Sequence, residues 1–162
     1  ELEIATTAPG PSADNYAAAI FRFMAGVSAR YNDICHTQIE TMKITTTTIE
    51  FTAWQTKTTG VNDNCRPMPL IAPLHSFSGV QWWVTIEKTV QLFLEHESYK
   101  RMDFLLPAPT RDRMGFCTRP CSNSQALRWL WLLRYRPDRS QEDIMRLTLP
   151  SFRVWIADLA DL

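Results

Sequence analysis

The stretch SADNYAAAIFRFMAGVSARY (12–31) carries the clearest helical pattern in the chain. Its apolar residues recur mostly at intervals of three and four, which gives one continuously apolar face; they are Tyr16, Ile20, Phe23, Met24, Val27 and Tyr31. Ser12 or Asp14 can serve as the N-cap. We therefore predict a long helix that ends near Tyr31. Residues 1–12, rich in Pro, Gly, Ser and Thr, are expected to form a flexible tail.

Extended structure is predicted for TMKITTTTIEFTAWQTKTTG (41–60), because β-branched and aromatic residues dominate it. The apolar positions change phase within this segment: Met42 and Ile44 are even-numbered, whereas Ile49 and Phe51 are odd-numbered. A bulge or a break is therefore expected among the threonines. Residues 62–73, which contain three prolines, are predicted to be a loop.

The segment 76–106 fits two patterns. Apolar residues alternate from Val80 to Leu94, as in a strand, but others lie three and four apart, as in a helix. An unbroken strand of 15 residues would far exceed the usual length of about 5 to 6 residues. We predict a helix from Ser78 to about Val90, extended chain after it, and a strand from Met102 to Leu106. Residues 107–124, with several Arg, Gly and Pro, are predicted to be a long loop.

The C-terminal stretch ALRWLWLLRYRPDRSQEDIMRLTLPSFRVWIADL (126–159) alternates in steps of two. One face of a half-buried strand would carry Leu127, Trp129, Trp131, Leu133 and Tyr135, with arginines on the other face. After a polar turn at 137–140, a second strand is expected through Met145, Leu147 and Leu149. From Pro150 a helical spacing predicts a terminal helix that includes Phe152, Trp155, Ile156 and Leu159.

These elements predict an α+β fold. In it a curved antiparallel sheet packs against the long N-terminal helix and a second central helix, which gives a cone-like shape, and a short C-terminal helix closes the chain. A length of 162 residues with 45% hydrophobic content is enough for one core. Residues 13–162 are therefore predicted to form a single domain.

Composition excludes several classes of partner. The net charge is zero, although residues 100–162 carry 11 Lys and Arg against 7 Asp and Glu. A dedicated nucleic-acid domain normally has a clear positive charge, so the arginines are interpreted as a solvated face and no nucleic-acid partner is expected. No apolar run reaches 20 residues, so no membrane span is expected.

Four cysteines, Cys35, Cys65, Cys117 and Cys121, permit two disulfides with three possible pairings. Plain buried thiols are the alternative. A zinc site is disfavoured, because CTRPC (117–121) has a C-x3-C spacing and no second pair of ligands completes it. The chain begins without Met or a hydrophobic signal region, which suggests a secreted protein or a processed chain.

Three segments resemble the NTF2-like superfamily, which includes SnoaL-like cyclases, ketosteroid isomerases and scytalone dehydratases. SGVQWWVTIEKTVQLF (78–93) is similar to the helix that precedes its sheet. ALRWLWLLRYRPD (126–138), followed by EDIMRLTLPSF (142–152) and WIADL (155–159), is similar to its last long strands and closing segment. The resemblance covers about a third of the chain and implies a cone-shaped domain. The chain departs from the family at Leu149-Pro150-Ser151, where an acidic residue is common, so no catalytic residue is transferred.

No nucleotide, dinucleotide or zinc-hydrolase motif occurs in the sequence, so no cofactor and no metal are expected. A cofactor-free enzyme would need an acid or base whose pKa is shifted by an apolar pocket. Asp103, His96 and His75 are the catalytic candidates by neighbourhood, and His36 is a further one. Each is also compatible with an ordinary exposed position. The pocket is predicted to be lined by Trp129, Trp131, Tyr135, Phe23 and Phe104, which are equally compatible with a solid core.

Two functions remain open at this stage. The first is a cofactor-independent isomerase, cyclase or dehydratase, or a binder, of an apolar small molecule; a homodimer is left open. The second is a secreted or processed protein-interaction module, such as an effector or viral polypeptide, with disulfide-closed loops and an arginine-rich contact face and without catalytic activity. A cavity with a buried carboxylate or imidazole would favour the enzyme. A filled interior with an exposed apolar or basic patch would favour the interaction module.

Overall fold

The computed structural model describes residues 2–8, 12–54, 67–134 and 142, and these residues form an α+β structure, which confirms the predicted fold class. The elements are α1 (Leu2–Ala5), α2 (Ser12–Val27), α3 (Tyr31–Ile34), β1 (Thr37–Ile44), β2 (Thr48–Ala53), β3 (Met68–Pro73), α4 (Trp83–Glu95), β4 (Pro107–Pro109), β5 (Phe116–Pro120) and α5 (Asn123–Arg134). The strands β1, β2 and β3 form an antiparallel sheet in that order, and β4 and β5 form a two-stranded sheet.

Helix α2 lies at the centre of the described part of the chain and contacts α1, α4, α5 and β3. Ten of its 16 residues are buried, including Phe21, which lies off the apolar face seen in the sequence. A helix that is apolar on nearly all sides belongs inside a core. Close approach to the sheet depends on Gly26, where an added Cβ would lie 3.2 Å from the Cβ of Ala72. The predicted helix is confirmed, and its burial is more complete than one face.

The helix ends earlier than the sequence suggests. Ser28 adopts a left-handed conformation with φ of 51°, and the N–H of Ala29 donates to the carbonyl of Met24 at 3.2 Å. This pair of features is a Schellman ending, which satisfies the last free carbonyls of a helix. The chain then restarts as the short helix α3 at Tyr31.

The threonine-rich segment is a hairpin, which explains its change of phase. Residues 45–47 connect β1 to β2, and the Thr45 Oγ1 accepts hydrogen bonds from the N–H groups of Thr47 and Thr48 at 3.2 and 2.9 Å. A second irregularity shifts the register between Gln38 and Lys43. The predicted break among the threonines is therefore confirmed, and it is a turn between two strands.

The proline-rich segment predicted as a loop contains strand β3. The N–H of Leu74 donates to the carbonyl of Thr47 at 2.8 Å, towards β2. Backbone groups alternate sides along a strand, so the backbone nitrogens of Pro69 and Pro73 point to the outer edge, away from β2. The pairing of β3 with β2 therefore requires no N–H from either proline. Prolines are tolerated in a sheet in this arrangement, so the loop prediction was wrong for Met68–Pro73.

Helix α4 confirms the predicted central helix with shifted bounds. It runs to Glu95 rather than to Val90, so the extended chain predicted there was wrong. Its buried residues Ile86, Val90 and Phe93 follow the helical interval of four and three, and the strand-like alternation of its other apolar residues has no structural counterpart.

The segment 102–120 differs from its prediction. No strand covers residues 102–106; the strands are β4 and β5, which pair antiparallel within the predicted loop. The backbone at Leu105 and Leu106 still forms hydrogen bonds with two distant segments. The Leu105 N–H donates to the carbonyl of Ile34, and the Leu106 carbonyl accepts from the N–H of Cys121, both at 3.0 Å.

The strand predicted for 127–135 was wrong over its described part, which is helix α5. A capping box begins this helix: the N–H of Gln125 donates to the Ser122 Oγ at 3.2 Å, and the N–H of Ser122 donates to the Gln125 Oε1 at 3.1 Å. This S-x-x-Q motif is a known helix start. Ala126, Trp129 and Leu130 are then buried at helical intervals.

Two other expectations are changed. Residues 2–8, expected within a flexible tail, include α1, and the side chain of Glu3 is buried. Cys35, Cys117 and Cys121 are free thiols, so no disulfide joins the described cysteines. The predicted strand through Met145, Leu147 and Leu149, the terminal helix, and Cys65 lie outside the described residues.

We predict that Ser122→Ala destabilises the protein by about 1 kcal/mol, because it removes the acceptor of the capping box. Urea unfolding measures this change as a shift of the midpoint at constant slope. Ser124→Ala, in the same exposed first turn, is the control and should change the free energy of unfolding by less than about 0.5 kcal/mol. Equal effects of the two substitutions would contradict the assigned helix start.

Candidate functional site

The three predicted catalytic residues are exposed and lie on connecting segments. His75 follows β3, His96 follows α4, and Asp103 lies between α4 and β4. The His75 ring contacts Phe77, with 5.4 Å between centroids, and the His96 ring contacts Tyr99 at the same distance. No hydrogen bond joins any two of the three candidates within the described ranges. The structure therefore does not place them in an apolar pocket, which their proposed chemistry requires.

Most of the predicted pocket-lining residues are core positions. Phe23, Phe104 and Trp129 are buried, and Trp131 is half-buried; Tyr135 lies outside the described residues. Phe23 packs edge-on against Phe51 of β2, with 5.3 Å between ring centroids. Phe23 thus joins α2 to the sheet.

Trp129 has a polar partner that the sequence did not suggest. Its indole N–H donates to the Asp14 Oδ1 at 2.7 Å, and Arg113 lies 3.1 Å from the other carboxylate oxygen. The carboxylate thus ties α5 and the turn before β5 to the start of α2. Because a buried indole N–H normally requires an acceptor, this bond identifies Trp129 as a residue that holds the helices together.

Aromatic rings pack together on the side of α2 that faces α4 and β5. Tyr16, Phe93 and Phe116 form three edge-to-face pairs with centroids 5.2–5.7 Å apart. The Tyr16 hydroxyl donates to the carbonyl of Leu105 at 2.7 Å, and Tyr99 extends the cluster. Such pairs contribute stability beyond the area they bury. This part of the interior is occupied by side chains in mutual contact.

The surface carries a feature that the sequence analysis missed. Every second residue of 67–77 is exposed, and those between them are buried or half-buried. We call the exposed set the β3 stripe; its members are Pro67, Pro69, Ile71, Pro73, His75 and Phe77. Five of the six are apolar, and Phe77 and Ile71 expose 78% and 47% of their surface. The signal in the sequence was the recurrence of proline at the odd positions 67, 69 and 73, but the sequence analysis interprets these prolines as loop residues.

The backbone beside the β3 stripe is rich in acceptors. Because even-numbered residues of β3 face β2, the outer edge presents the carbonyls of Pro69, Ile71 and Pro73 but only the N–H of Ile71. An added strand needs alternating donors and acceptors, and proline removes two of the donors. Strand addition at this edge is therefore disfavoured.

The end of the stripe is positioned by a buried carboxylate. Glu3 accepts hydrogen bonds from the Arg22 Nε at 2.8 Å, from the Ser76 Oγ at 2.9 Å, and from the N–H and Oγ of Ser78 at 2.9 and 2.7 Å. These bonds fix the loop that holds Phe77 to both α1 and α2.

The Arg22 side chain completes this support. Its guanidinium carbon lies 5.6 Å from the centroid of the Phe77 ring and 5.1 Å from that of Trp82. Its Nη2 also donates to the carbonyl of His75 at 3.3 Å. Cation–π contact of this kind is favourable when the guanidinium is partly desolvated. The Arg22 guanidinium thus contacts the Phe77 ring, while most of the ring remains exposed.

The charge on Glu3 is stabilised by these contacts. Burial alone would raise its pKa, but hydrogen bonds from Arg22, Ser78 and Ser76 outweigh burial and lower the pKa from 4.5 to about 2. The carboxylate is therefore ionised at neutral pH, and the ion pair with Arg22 is intact.

Comparison with known proteins assigns no family: the sequence matches no family model, and no curated protein or solved structure is significantly similar to it. The NTF2-like resemblance therefore stays a prediction, although its segment 126–134 lies in helix α5 rather than in a long strand. Within the described ranges, no three His, Cys, Asp or Glu side chains are placed to hold a metal ion. None of the described helices is both long and apolar enough to cross a membrane.

We predict that Trp129→Phe destabilises the protein by about 1.5–3 kcal/mol, because it removes a hydrogen bond to a charged, partly buried acceptor. Urea unfolding measures the change. Combined with Asp14→Ala, the two effects should be less than additive. Trp54→Phe, at an exposed tryptophan after β2, is the control with little effect. Full additivity would show that the bond contributes nothing.

We predict that Glu3 makes the free energy of unfolding decrease as the pH is lowered into the acid range. A folded-state pKa of about 2 against 4.5 gives a contribution of about 3 kcal/mol. This contribution is complete above pH 4.5 and is lost as the pH falls towards 2. Glu3→Gln should remove that dependence in thermal unfolding from pH 6 to about 2. Glu97→Gln, at an exposed carboxylate, should retain it, and identical curves for Glu3→Gln and the parent protein would refute the assignment.

Proposed function

We propose that the protein is a protein-interaction module that binds its partner through the β3 stripe. The observation that carries the proposal is the exposure of five apolar side chains at alternate positions of residues 67–77. Apolar surface that is contiguous and rimmed by polar groups commonly marks an interaction site.

The surroundings of the stripe match the anatomy of an interface. Ile71 lies beside Glu50 of β2, and Glu50 in turn lies opposite Lys43 of β1, so a charged rim borders the apolar centre. An apolar centre with a polar rim is the usual arrangement of a binding surface. The Glu3 and Arg22 contacts hold Phe77 in place before binding, which limits the entropy lost on association.

The chemistry of the stripe favours a partner rich in Trp and Tyr. Prolyl rings and Phe77 offer flat apolar surface, and the neighbouring backbone offers three acceptors against one donor. Indole and phenol side chains supply both an apolar ring and an N–H or O–H donor. In other complexes, aromatic side chains of one protein pack against prolyl rings of the other in the same way.

The sequence-based alternative, a cofactor-independent enzyme for an apolar small molecule, receives less support from the geometry. Its acid–base candidates Asp103, His96 and His75 are exposed, and Phe23 and Trp129 make core contacts instead of forming a recognisable site. The arrangement of the described residues therefore favours the interaction module.

The test is a selection of randomised peptides displayed on phage against the purified protein. We expect selected peptides rich in Trp and Tyr. Their affinity should fall at least about tenfold for Ile71→Thr and for Phe77→Ser, because each substitution removes an apolar anchor. Ile71→Thr keeps a β-branched residue in the strand, so it tests contact rather than folding.

Leu92→Ser is the matched control, because Leu92 is an exposed apolar residue of α4 outside the stripe. Its affinity for the selected peptides should equal that of the parent protein. Peptides that bind the parent, Ile71→Thr and Phe77→Ser equally well would exclude the β3 stripe as the contact surface.

A further inference from the structure

The loop between β3 and α4 carries a serine that joins a buried carboxylate to the surface. The Ser78 Oγ donates to the Glu3 Oε2 at 2.7 Å, and the Ser78 N–H donates to the same oxygen at 2.9 Å. The Glu3 side chain exposes 6% of its surface, whereas Ser78 is an exposed residue. A chemical change at Ser78 therefore acts directly on a buried carboxylate.

The surroundings of Ser78 leave room for an added group. Residues 77–79 are all exposed, and residues 74–82 form neither helix nor strand. Gly79 has a φ of 77°, and apart from its chain neighbours no heavy atom lies within 4 Å of the position that a Cβ would occupy there. Enzymes that modify folded proteins act most readily on exposed loops of this kind.

We propose that Ser78 is a phosphorylation site that controls partner binding at the β3 stripe. A serine/threonine protein kinase transfers the γ-phosphoryl group of ATP to the Ser78 Oγ. A bond forms between Oγ and phosphorus, the bond from the γ-phosphorus to the oxygen of the departing ADP breaks, and the hydroxyl proton passes to solvent. The inference rests on the proposed function, because the surface that it regulates is the β3 stripe.

The phosphoryl group removes a hydrogen bond and adds negative charge at the same place. Phosphoserine lacks the Oγ–H that Ser78 donates to Glu3, and its charge is about −1.5 to −2 at pH 7. Although burial alone raises the pKa of Glu3, its hydrogen bonds lower the pKa to about 2, so Glu3 is itself ionised. Like charges in direct contact at a partly buried site repel each other. We therefore expect Ser78 to separate from Glu3.

The Arg22 guanidinium is already engaged by other groups. Its Nε donates to the Glu3 Oε1 at 2.8 Å, and its Nη2 donates to the carbonyl of His75 at 3.3 Å. Its carbon lies 5.6 and 5.1 Å from the ring centroids of Phe77 and Trp82. A phosphate that took the Nε from Glu3 would leave a carboxylate buried without its cation, which is strongly destabilising. Movement of the exposed loop is therefore the expected response.

Release of the loop removes one anchor of the stripe and leaves the others. Phe77 lies between Ser76 and Ser78, whose hydroxyls both donate to Glu3. Ile71 lies in β3, which remains paired with β2. Phosphorylation should therefore weaken binding through Phe77, while the strand part of the stripe stays in place.

The first experiment tests the site. The folded chain is incubated with Mg²⁺, ATP and purified kinases that prefer basic, acidic or proline-flanked substrates, and the phosphorylated residues are mapped by mass spectrometry. We expect Ser78 to be modified in preference to Ser76, which is half-buried. Phosphate on other residues only, or on none, would overturn the assignment of Ser78.

The second experiment tests the consequence, with phosphoserine incorporated at position 78 during translation of the full chain. Its affinity for the selected peptides should fall about tenfold, as for the loss of one apolar anchor, and hydrogen exchange at the Ser78 amide should accelerate. Glu3→Gln should reduce the fall to less than about threefold, because a neutral amide does not repel phosphate. In Phe77→Ser, phosphoserine at position 78 should cause no further loss.

Phosphoserine at position 98 is the matched control, because Ser98 is an exposed residue that follows the C-terminal end of α4. It should leave the affinity unchanged. An unchanged or increased affinity with phosphoserine at position 78 would overturn the proposal, since the phosphate would then bind Arg22 in place of Glu3. An equal fall in the Glu3→Gln chain would exclude repulsion by Glu3 as the cause.

Failure of the proposed function gives a different result. In that case the unmodified chain binds no peptides, or binds them independently of Ile71 and Phe77. Hydrogen exchange at the Ser78 amide, which requires no partner, still reports whether phosphoserine releases the loop from Glu3.

Discussion

Helix α2 is buried on nearly every side, and this burial dictates the packing of the elements around it. A helix with residues such as Phe21 and Phe23 on different faces leaves no side for solvent, so the sheet, α4, α5 and α1 must surround it. Arg22 is the charged residue in the middle of this helix, and a charge so placed needs a partner. Glu3 supplies it, so the N-terminal segment folds onto the helix.

This arrangement connects the core to the surface. The same carboxylate that neutralises Arg22 also binds Ser76 and Ser78, and the same guanidinium lies against Phe77. The interior and the exposed stripe are therefore parts of one network. A residue such as Phe77 can remain largely exposed and still be held in a fixed position, because its support comes from polar contacts beneath the ring.

Proline has two roles in β3. It removes two of the outer donors of an edge strand, which disfavours pairing of that strand with another sheet, and its rings provide exposed apolar surface. The prolines therefore protect the edge of the sheet against aggregation and also form part of the surface that we propose for binding, where side chains and not backbone hydrogen bonds would make the contact.

The sequence alone is enough to predict the α+β class, the helices α2 and α4, and the break among the threonines, because each follows from local periodicity or β-branched composition. It did not determine α5, since Leu127 to Leu133 fits both a strand and a helix; the capping box at Ser122 and Gln125 favoured the helix, and the tertiary bond from Trp129 to Asp14 is consistent with it. Nor did it determine β3 or the stripe. Whether a proline ends a strand depends on which side its missing N–H faces, and only the pairing of β2 with β3 decides that.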